Sequence, residues 1–168
     1  MKRRRQFGFS LIELLLAVAV ILVIAAIAIP HYLSSKMAAN EASTVGSMRA
    51  ITSSLIMYTT TYPDVGYAPS LSALSDGGAA SNCAPARIPA SDHACLIDSN
   101  LASGVKSGYI FTYAPAGSGS GPAGAYNLNA DPISRGSTGR RSFFTNVPGV
   151  IHWNATTSAT EADPSIPM

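Results

Sequence analysis

One carboxylate, Glu13, lies near the start of a long apolar stretch in this sequence. From Phe9 to Ile29 the residues are apolar except for Ser10 and Glu13 itself. A charged side chain on a lone helix in a bilayer costs roughly 2.5–3.5 kcal/mol on insertion scales, so Glu13 needs a partner. A cut after Gly8 would give Phe9 a free, positively charged α-amino group, and the same group on a neighbouring chain could pair with Glu13. The chemistry that these residues favour is therefore ion pairing between chains.

The stretch that carries Glu13 has the length of a membrane-spanning helix. The residues from Phe9 to Ile29 would form a helix about 31 Å long, close to the roughly 30 Å hydrocarbon core of a bilayer. Four basic residues, Lys2 to Arg5, precede the stretch and none lies within it. This asymmetry predicts an amino terminus on the cytoplasmic side.

Two other kinds of segment share parts of this pattern. A secretory signal peptide has an apolar stretch of only about 7–15 residues, which is shorter than the uninterrupted run from Leu14 to Ile29. A plain single-pass anchor has a suitable length, but it offers no partner for Glu13.

The motif around Glu13 resembles that of a known family. The run Gly8-Phe9-Ser10-Leu11-Ile12-Glu13-Leu14, after a short basic leader, is similar to the processing site of type IV prepilins and type II secretion pseudopilins. In that family a prepilin peptidase cuts after the glycine and methylates the new amino-terminal phenylalanine. The resemblance implies a leader of residues 1–8, cleavage between Gly8 and Phe9, N-methylation of Phe9, and a role for Glu13 in assembly and register. Pro30 lies where the family places a proline.

The resemblance also implies a fold and a function. The fold would be α+β and type IV pilin-like, with one long amino-terminal helix packed on a small antiparallel sheet. The protein would be a structural subunit, a pilin or pseudopilin, that polymerises through this helix into a type IV pilus or a type II secretion-like filament. Pilus, secretion pseudopilus and DNA-uptake fibre stay open. The alternative function is a monomeric, membrane-anchored extracytoplasmic binding domain, which needs no cut after Gly8.

Partners and location follow from the same resemblance. Expected partners are copies of the chain and other pilins, the prepilin peptidase, the inner-membrane assembly platform, and membrane lipid before assembly. The subunit would lie in the bacterial inner membrane before assembly and in a periplasmic or extracellular filament afterwards. We expect no catalytic residues, no enzyme activity and no cofactor.

The charge of the chain belongs mainly to the leader. The 168 residues carry a formal charge of +2, from 11 basic and 9 acidic residues. Removing Lys2 to Arg5 leaves seven basic residues against nine acidic ones. We therefore do not expect nucleic acid as a partner.

Helical periodicity continues beyond Pro30. Apolar residues recur at steps of three or four and predict one buried face: Val45, Met48, Ile51, Leu55, Tyr58 and Tyr62. Polar residues are expected on the opposite face: Asn40, Ser43, Ser47, Ser54 and Thr61. Pro30 is expected to kink the helix without ending it, whereas Pro63 should end it. We predict one helix whose residues 9–30 form a transmembrane or filament-core half and whose residues 31–62 form an amphipathic half.

Residues 63–168 are predicted to form the extracytoplasmic domain. Its first part is a loop region with two short helices that begin near Ser70 and Asp98. Four strands in meander order are expected over residues 109–113, 125–129, 141–147 and 150–153. The polar tail from Thr156 is expected to be mobile.

The two cysteines, Cys83 and Cys95, lie in the loop region. A domain outside the cytoplasm meets an oxidising compartment, so we expect a disulfide, worth roughly 3 kcal/mol on the loop-entropy model. A metal site with His93 is the alternative, but it lacks a fourth ligand at suitable spacing, and we predict no metal site.

Three further patterns are weak. Arginines 135, 140 and 141 could contact DNA phosphates, but a solvated loop is expected. Asn154-Ala155-Thr156 matches a glycosylation acceptor, a tripeptide that is common by chance. Asp131 and Asp163 are candidates for a calcium site, although no dense acidic loop accompanies them.

Overall fold

The computed structural model describes residues 9–84, 88–117 and 122–166. The chain divides into two compact units, residues 1–36 and residues 37–168. Its helices are α1 (Leu11–Thr61), α2 (Leu71–Leu74) and α3 (Ser99–Ala102), with a 3-10 helix at Ala80–Cys83. Its strands are β1 (Val105–Lys106), β2 (Tyr109–Ala116), β3 (Ala125–Pro132), β4 (Ser142–Asn146) and β5 (His152–Asn154).

The five strands form one antiparallel sheet in the order β1-β2-β3-β4-β5. The predicted α+β, pilin-like arrangement is therefore confirmed, as is the meander order. The sequence predicted four strands, and β1 is the strand that was missed, because two residues are too few to show an alternating pattern. Ser107 and Gly108 join β1 to β2 with φ angles of 52° and 76°. A two-residue turn with both φ angles positive is a preferred hairpin connection, so Ser-Gly at this place was the available signal.

The face that α1 buries in the second unit follows the predicted stripe. Met48, Ile51, Leu55 and Tyr58 are fully buried, and Val45 and Tyr62 pack against them in part. The stripe also continues towards the amino terminus, at the same steps of three and four, through Thr44, Glu41 and Met37. The apolar members of the predicted stripe and the inward face of the sheet form one apolar core.

The prediction for the opposite face was wrong at one residue. Ser47 is buried. Asn40 Nδ2 donates a 2.8 Å hydrogen bond to the carbonyl oxygen of Thr138, and the hydroxyl oxygens of Ser43 and Ser107 are 2.8 Å apart. Asn40 and Ser43 bond to the loops beside the helix, and a polarity pattern alone does not reveal such partners.

The loop region has the predicted caps and the predicted disulfide. Ser70 and Asp98 accept hydrogen bonds from backbone N–H groups of α2 and α3, respectively. Cys83 and Cys95 form a disulfide with Cα atoms 5.6 Å apart. In this pairing neither sulfur is a thiolate, so neither can serve as a ligand in the alternative metal site with His93.

The carboxyl-terminal tail is anchored, so the expectation that it is mobile was wrong. Trp153 N–H donates to Pro164 O at 2.9 Å, and Ile166 N–H donates to Ile151 O at 2.8 Å, which extends the pairing at the β5 edge. Ile166 packs against the core, and Asn129 Nδ2 donates to the carbonyl oxygen of Ala159 at 2.9 Å. Polar composition suggested a free tail, but its backbone groups are paired.

Candidate functional site

The first turn of α1 carries Glu13. The helix begins at Leu11, and the Ser10 carbonyl oxygen accepts hydrogen bonds from the N–H groups of Glu13 at 3.1 Å and Leu14 at 3.2 Å. The first N–H groups of a helix have no partner within it, and the helix dipole favours a negative charge there by roughly 0.3–1 kcal/mol. Glu13 therefore lies at the end of the helix that tolerates a carboxylate best.

The surface around Glu13 is apolar and uncovered. Phe9 is 78% exposed and Leu11 is 82% exposed. A shallow apolar groove follows one side of the helix and is lined by Leu11, Leu14, Leu15, Val18, Ala19 and Leu22. By length and composition this helix could cross a membrane. A helix that is apolar all round needs lipid or other helices as its surroundings, which is consistent with membrane anchoring.

Glu13 has no ionic partner within the described part of the chain. Gly8, on the amino-terminal side of the predicted cut, lies outside the described residues, so the predicted cleavage remains a prediction. Pro30 lies inside α1, and the helix continues on both sides of it. The predicted kink at Pro30 also remains a prediction.

A second charged cluster, which sequence reasoning missed, joins α1 to the loop before β4. Glu41 is only 6% exposed, although it is a carboxylate. Its Oε1 accepts from the backbone N–H groups of Arg140 at 2.8 Å and Arg141 at 3.2 Å. Its Oε2 accepts from Arg141 Nε at 2.7 Å and lies 2.7 Å from Arg141 Nη2. Four donors thus satisfy one buried carboxylate.

Arg141 is itself fixed by aromatic neighbours. Its guanidinium carbon lies 5.7 Å from the ring centroid of Phe143 and 5.4 Å from that of Trp153, within cation–π range. Tyr109 donates its hydroxyl to the Arg141 carbonyl oxygen at 2.8 Å. Burial, and next the Glu41 carboxylate, raise the pKa of Tyr109. The signal in the sequence was the spacing of Glu41, which continues the buried stripe.

The expectation of a solvated arginine loop was wrong for Arg141. Arg141 is engaged with Glu41. Arg135 is exposed, but its guanidinium donates to the carbonyl oxygens of residues 140, 155 and 157 and to the hydroxyl of Ser142. These donors are already used within the protein, so the structure gives no support to phosphate binding by Arg135 or Arg141.

The structure also gives no support to the glycosylation and calcium patterns. Asn154 Nδ2, the atom that a glycan would modify, donates to Asp163 Oδ1 at 2.8 Å. Asp163 Oδ2 accepts from Thr160 N–H at 2.7 Å, so this carboxylate is already bonded within the tail. Asp131 Oδ1 is buried without a hydrogen-bond partner among the described residues. Within the same residues, no three His, Cys, Asp or Glu side chains gather in a group that could hold a metal ion.

Comparison with known proteins identifies the amino-terminal segment. A family model, the prokaryotic N-terminal methylation motif, matches residues 3–29. This motif is the signature of the type IV pilin and pseudopilin family, and the helix-and-sheet arrangement of the chain is pilin-like. No curated protein and no solved structure matches the chain.

Proposed function

We propose that the protein is a pilin or pseudopilin that is cleaved between Gly8 and Phe9 and then polymerises through α1. The observation that carries this proposal is the methylation motif over residues 3–29, together with Glu13, a carboxylate on an uncovered apolar helix segment that has no ionic partner among the described residues. The motif implies a prepilin peptidase as the processing enzyme. The role is structural rather than enzymatic.

Processing creates a positive charge that can pair with Glu13. Hydrolysis of the bond after Gly8 releases the leader with a new carboxylate and leaves an α-amino group on Phe9. An N-methylated amine still binds a proton at neutral pH, so methylation of Phe9 keeps the positive charge. The mature chain then carries an ammonium group and a carboxylate within its first helical turns.

Pairing between subunits would determine how α1 packs in the filament. A neighbouring Phe9 ammonium can neutralise Glu13, and their attraction in an apolar medium is stronger than in water. Desolvating both charges opposes this gain, so the net attraction is small. A subunit in the wrong axial position would leave both charges unpaired in an apolar environment, which is heavily penalised. Glu13 thus selects the position of each added subunit.

Location follows from the same steps. Before assembly, the apolar amino-terminal part of α1 lies in the inner membrane with its amino terminus in the cytoplasm, because Lys2 to Arg5 precede the apolar stretch. The second unit lies outside the cytoplasm, where the Cys83–Cys95 disulfide can form. After assembly, copies of the chain and other pilins replace lipid around this part of α1, and an inner-membrane assembly platform adds each subunit.

Substitution of Glu13 tests the proposal. Glu13→Ala, expressed as the only copy, is expected to be cleaved and folded normally but to give few or no filaments by electron microscopy of sheared material. Glu13→Asp should be partly active, because the charge remains with a shorter reach. Glu161→Ala is the matched control, since Glu161 is an exposed carboxylate of the second unit. Abundant filaments from Glu13→Ala would contradict the mechanism, and a wild-type chain that stays uncleaved would favour the monomeric anchored domain.

A further inference from the structure

We propose that the pairing of Glu41 with Arg141 sets the register of α1 on the sheet of the second unit. Glu41 is then a positioning residue that determines which face of this part of the helix stays exposed. The register is a property of a single chain, and only its consequence for assembly rests on the proposed function.

Over Met48, Ile51 and Leu55, the apolar stripe alone does not specify one register. Met48, Ile51 and Leu55 recur at steps of three and four, and hydrophobic burial has no direction. A slip of one helical turn moves the helix by about 5.4 Å and places Ile51 near the former position of Leu55. These side chains have similar volumes, and cores tolerate exchanges between such residues. Tyr58, at the far end of the stripe, is larger and donates its hydroxyl to the Ser91 carbonyl oxygen at 2.6 Å. The end that carries Glu41 needs a directional contact of its own to exclude the slipped arrangement.

The bonds to Glu41 are directional and close. All four donor distances lie between 2.7 and 3.2 Å. A shift of one residue along the helix moves the carboxylate by about 1.5 Å and turns it by about 100°, which would break these bonds. The carboxylate would then be left desolvated and unpaired, which is strongly unfavourable.

The other side of the pair is held by three strands. The backbone carbonyl oxygen of Arg141 accepts a hydrogen bond from the hydroxyl of Tyr109, which lies on β2. Its guanidinium lies against Phe143 of β4 and Trp153 of β5. Arg141 is thus held in a fixed position at the edge of β4. Its bonds to Glu41 fix the position of the helix relative to the sheet.

Two neutral contacts flank the pair at the same end of the helix segment. Asn40 bonds to the carbonyl oxygen of Thr138, and Ser43 bonds to Ser107. Residues 40, 41 and 43 therefore contact three separate places on the loops beside the sheet. In a filament, a changed register would present a different helix face to neighbouring subunits, so assembly would fail even though processing continued.

A distance measurement on the full chain tests the register. Ala50→Cys on α1 and Thr112→Cys on β2 introduce exposed labelling sites, because the native cysteines are joined to each other. Double electron–electron resonance between spin labels at these sites should give one narrow distance for the otherwise wild-type protein in detergent. Glu41→Gln should broaden the distribution or add a second distance, displaced by several Å. Glu161→Gln, the matched control, should keep the single distance.

A second variant keeps the test decisive if Glu41→Gln unfolds. The double variant Glu41→Met with Arg141→Met removes both charges and can fold by apolar burial. A shifted or split distance in this folded double variant supports the inference, and the unchanged single distance overturns it. The distance measurement does not need assembly, so its result is independent of the proposed function. A wild-type chain that forms no filaments would refute the proposed function and leave the register inference unaffected.

Discussion

Arg141 Nη2 lies 2.7 Å from Glu41 Oε2, and the two partners are unequally buried, with 41% of the arginine side chain exposed against 8% of the glutamate side chain. The carboxylate therefore depends on its partner more than the guanidinium does. Water can solvate the exposed part of Arg141, whereas Glu41 has only protein donors around it.

This inequality predicts an order of stabilities. Arg141→Ala should lower the free energy of unfolding by about 3 kcal/mol, because it leaves a buried carboxylate without its cation. Glu41→Ala should lower it by about 2 kcal/mol, since the remaining arginine is partly solvated. Urea unfolding followed by the fluorescence of Trp153, the one tryptophan, measures both. The reverse order, or losses below about 0.5 kcal/mol, would contradict the account.

The disulfide should stabilise the second unit measurably. Cys83→Ser with Cys95→Ser is expected to lower the free energy of unfolding by roughly 3 kcal/mol on the loop-entropy model. The oxidised wild-type protein and the same protein under reductant should differ by a similar amount. Peptide mapping without reductant should find Cys83 linked to Cys95. Two thiols that can be alkylated in protein purified without reductant would be the opposite result.

Thr145 is fully buried, and its Oγ1 has no hydrogen-bond partner among the described residues. Thr145→Val keeps the shape and removes an unsatisfied hydroxyl, so it should raise the free energy of unfolding by about 1 kcal/mol. Thr44→Val is the matched control, because Thr44 is also buried but donates to the Asn40 carbonyl oxygen at 2.8 Å. A gain at position 44 and a loss at position 145 would reverse the expectation.

Four tyrosines predict how stability responds to alkaline pH. Burial raises the pKa of the hydroxyls of Tyr58, Tyr109, Tyr113 and Tyr126. A group whose pKa is higher in the folded state than in the unfolded state, near 10, stabilises the fold fully below that pH. This contribution is lost as the pH rises from about 10 through the folded pKa. Tyrosinate absorbance and circular dichroism should therefore change together above pH 10. Ionisation of all tyrosines near pH 10 with the fold intact would disagree with this burial.

The sequence predicted the parts of the fold that depend on local signals. The apolar stripe of α1, the caps at Ser70 and Asp98, and four of the five strands are read from residues near one another in the chain, and the structure confirms them. Partners distant in sequence were not predictable in this way. Glu41 bonds to Arg141, which lies 100 residues away in the sequence. The tail pairs with β5 through backbone groups, whose pairing does not depend on side-chain type.

For the candidate site, too, the local features were predictable from the sequence and the contacts between distant residues were not. The motif at Gly8, Phe9 and Glu13 is local, so the sequence alone pointed to it, and the family model matches the same segment. The anchoring of Arg135 to the tail was not predictable, because the carbonyl oxygens that it contacts carry no mark in the sequence.

The amino terminus of the protein taken from the cell gives the most direct test of the central claim. Mass spectrometry of the amino-terminal peptide, prepared from sheared filaments, should find a chain that begins with N-methylated Phe9. Gly8→Glu should instead leave the full-length precursor in the membrane, because a long charged side chain next to the cut cannot enter a narrow peptidase site. A wild-type protein that keeps Met1, or one that begins near His31, would contradict the account.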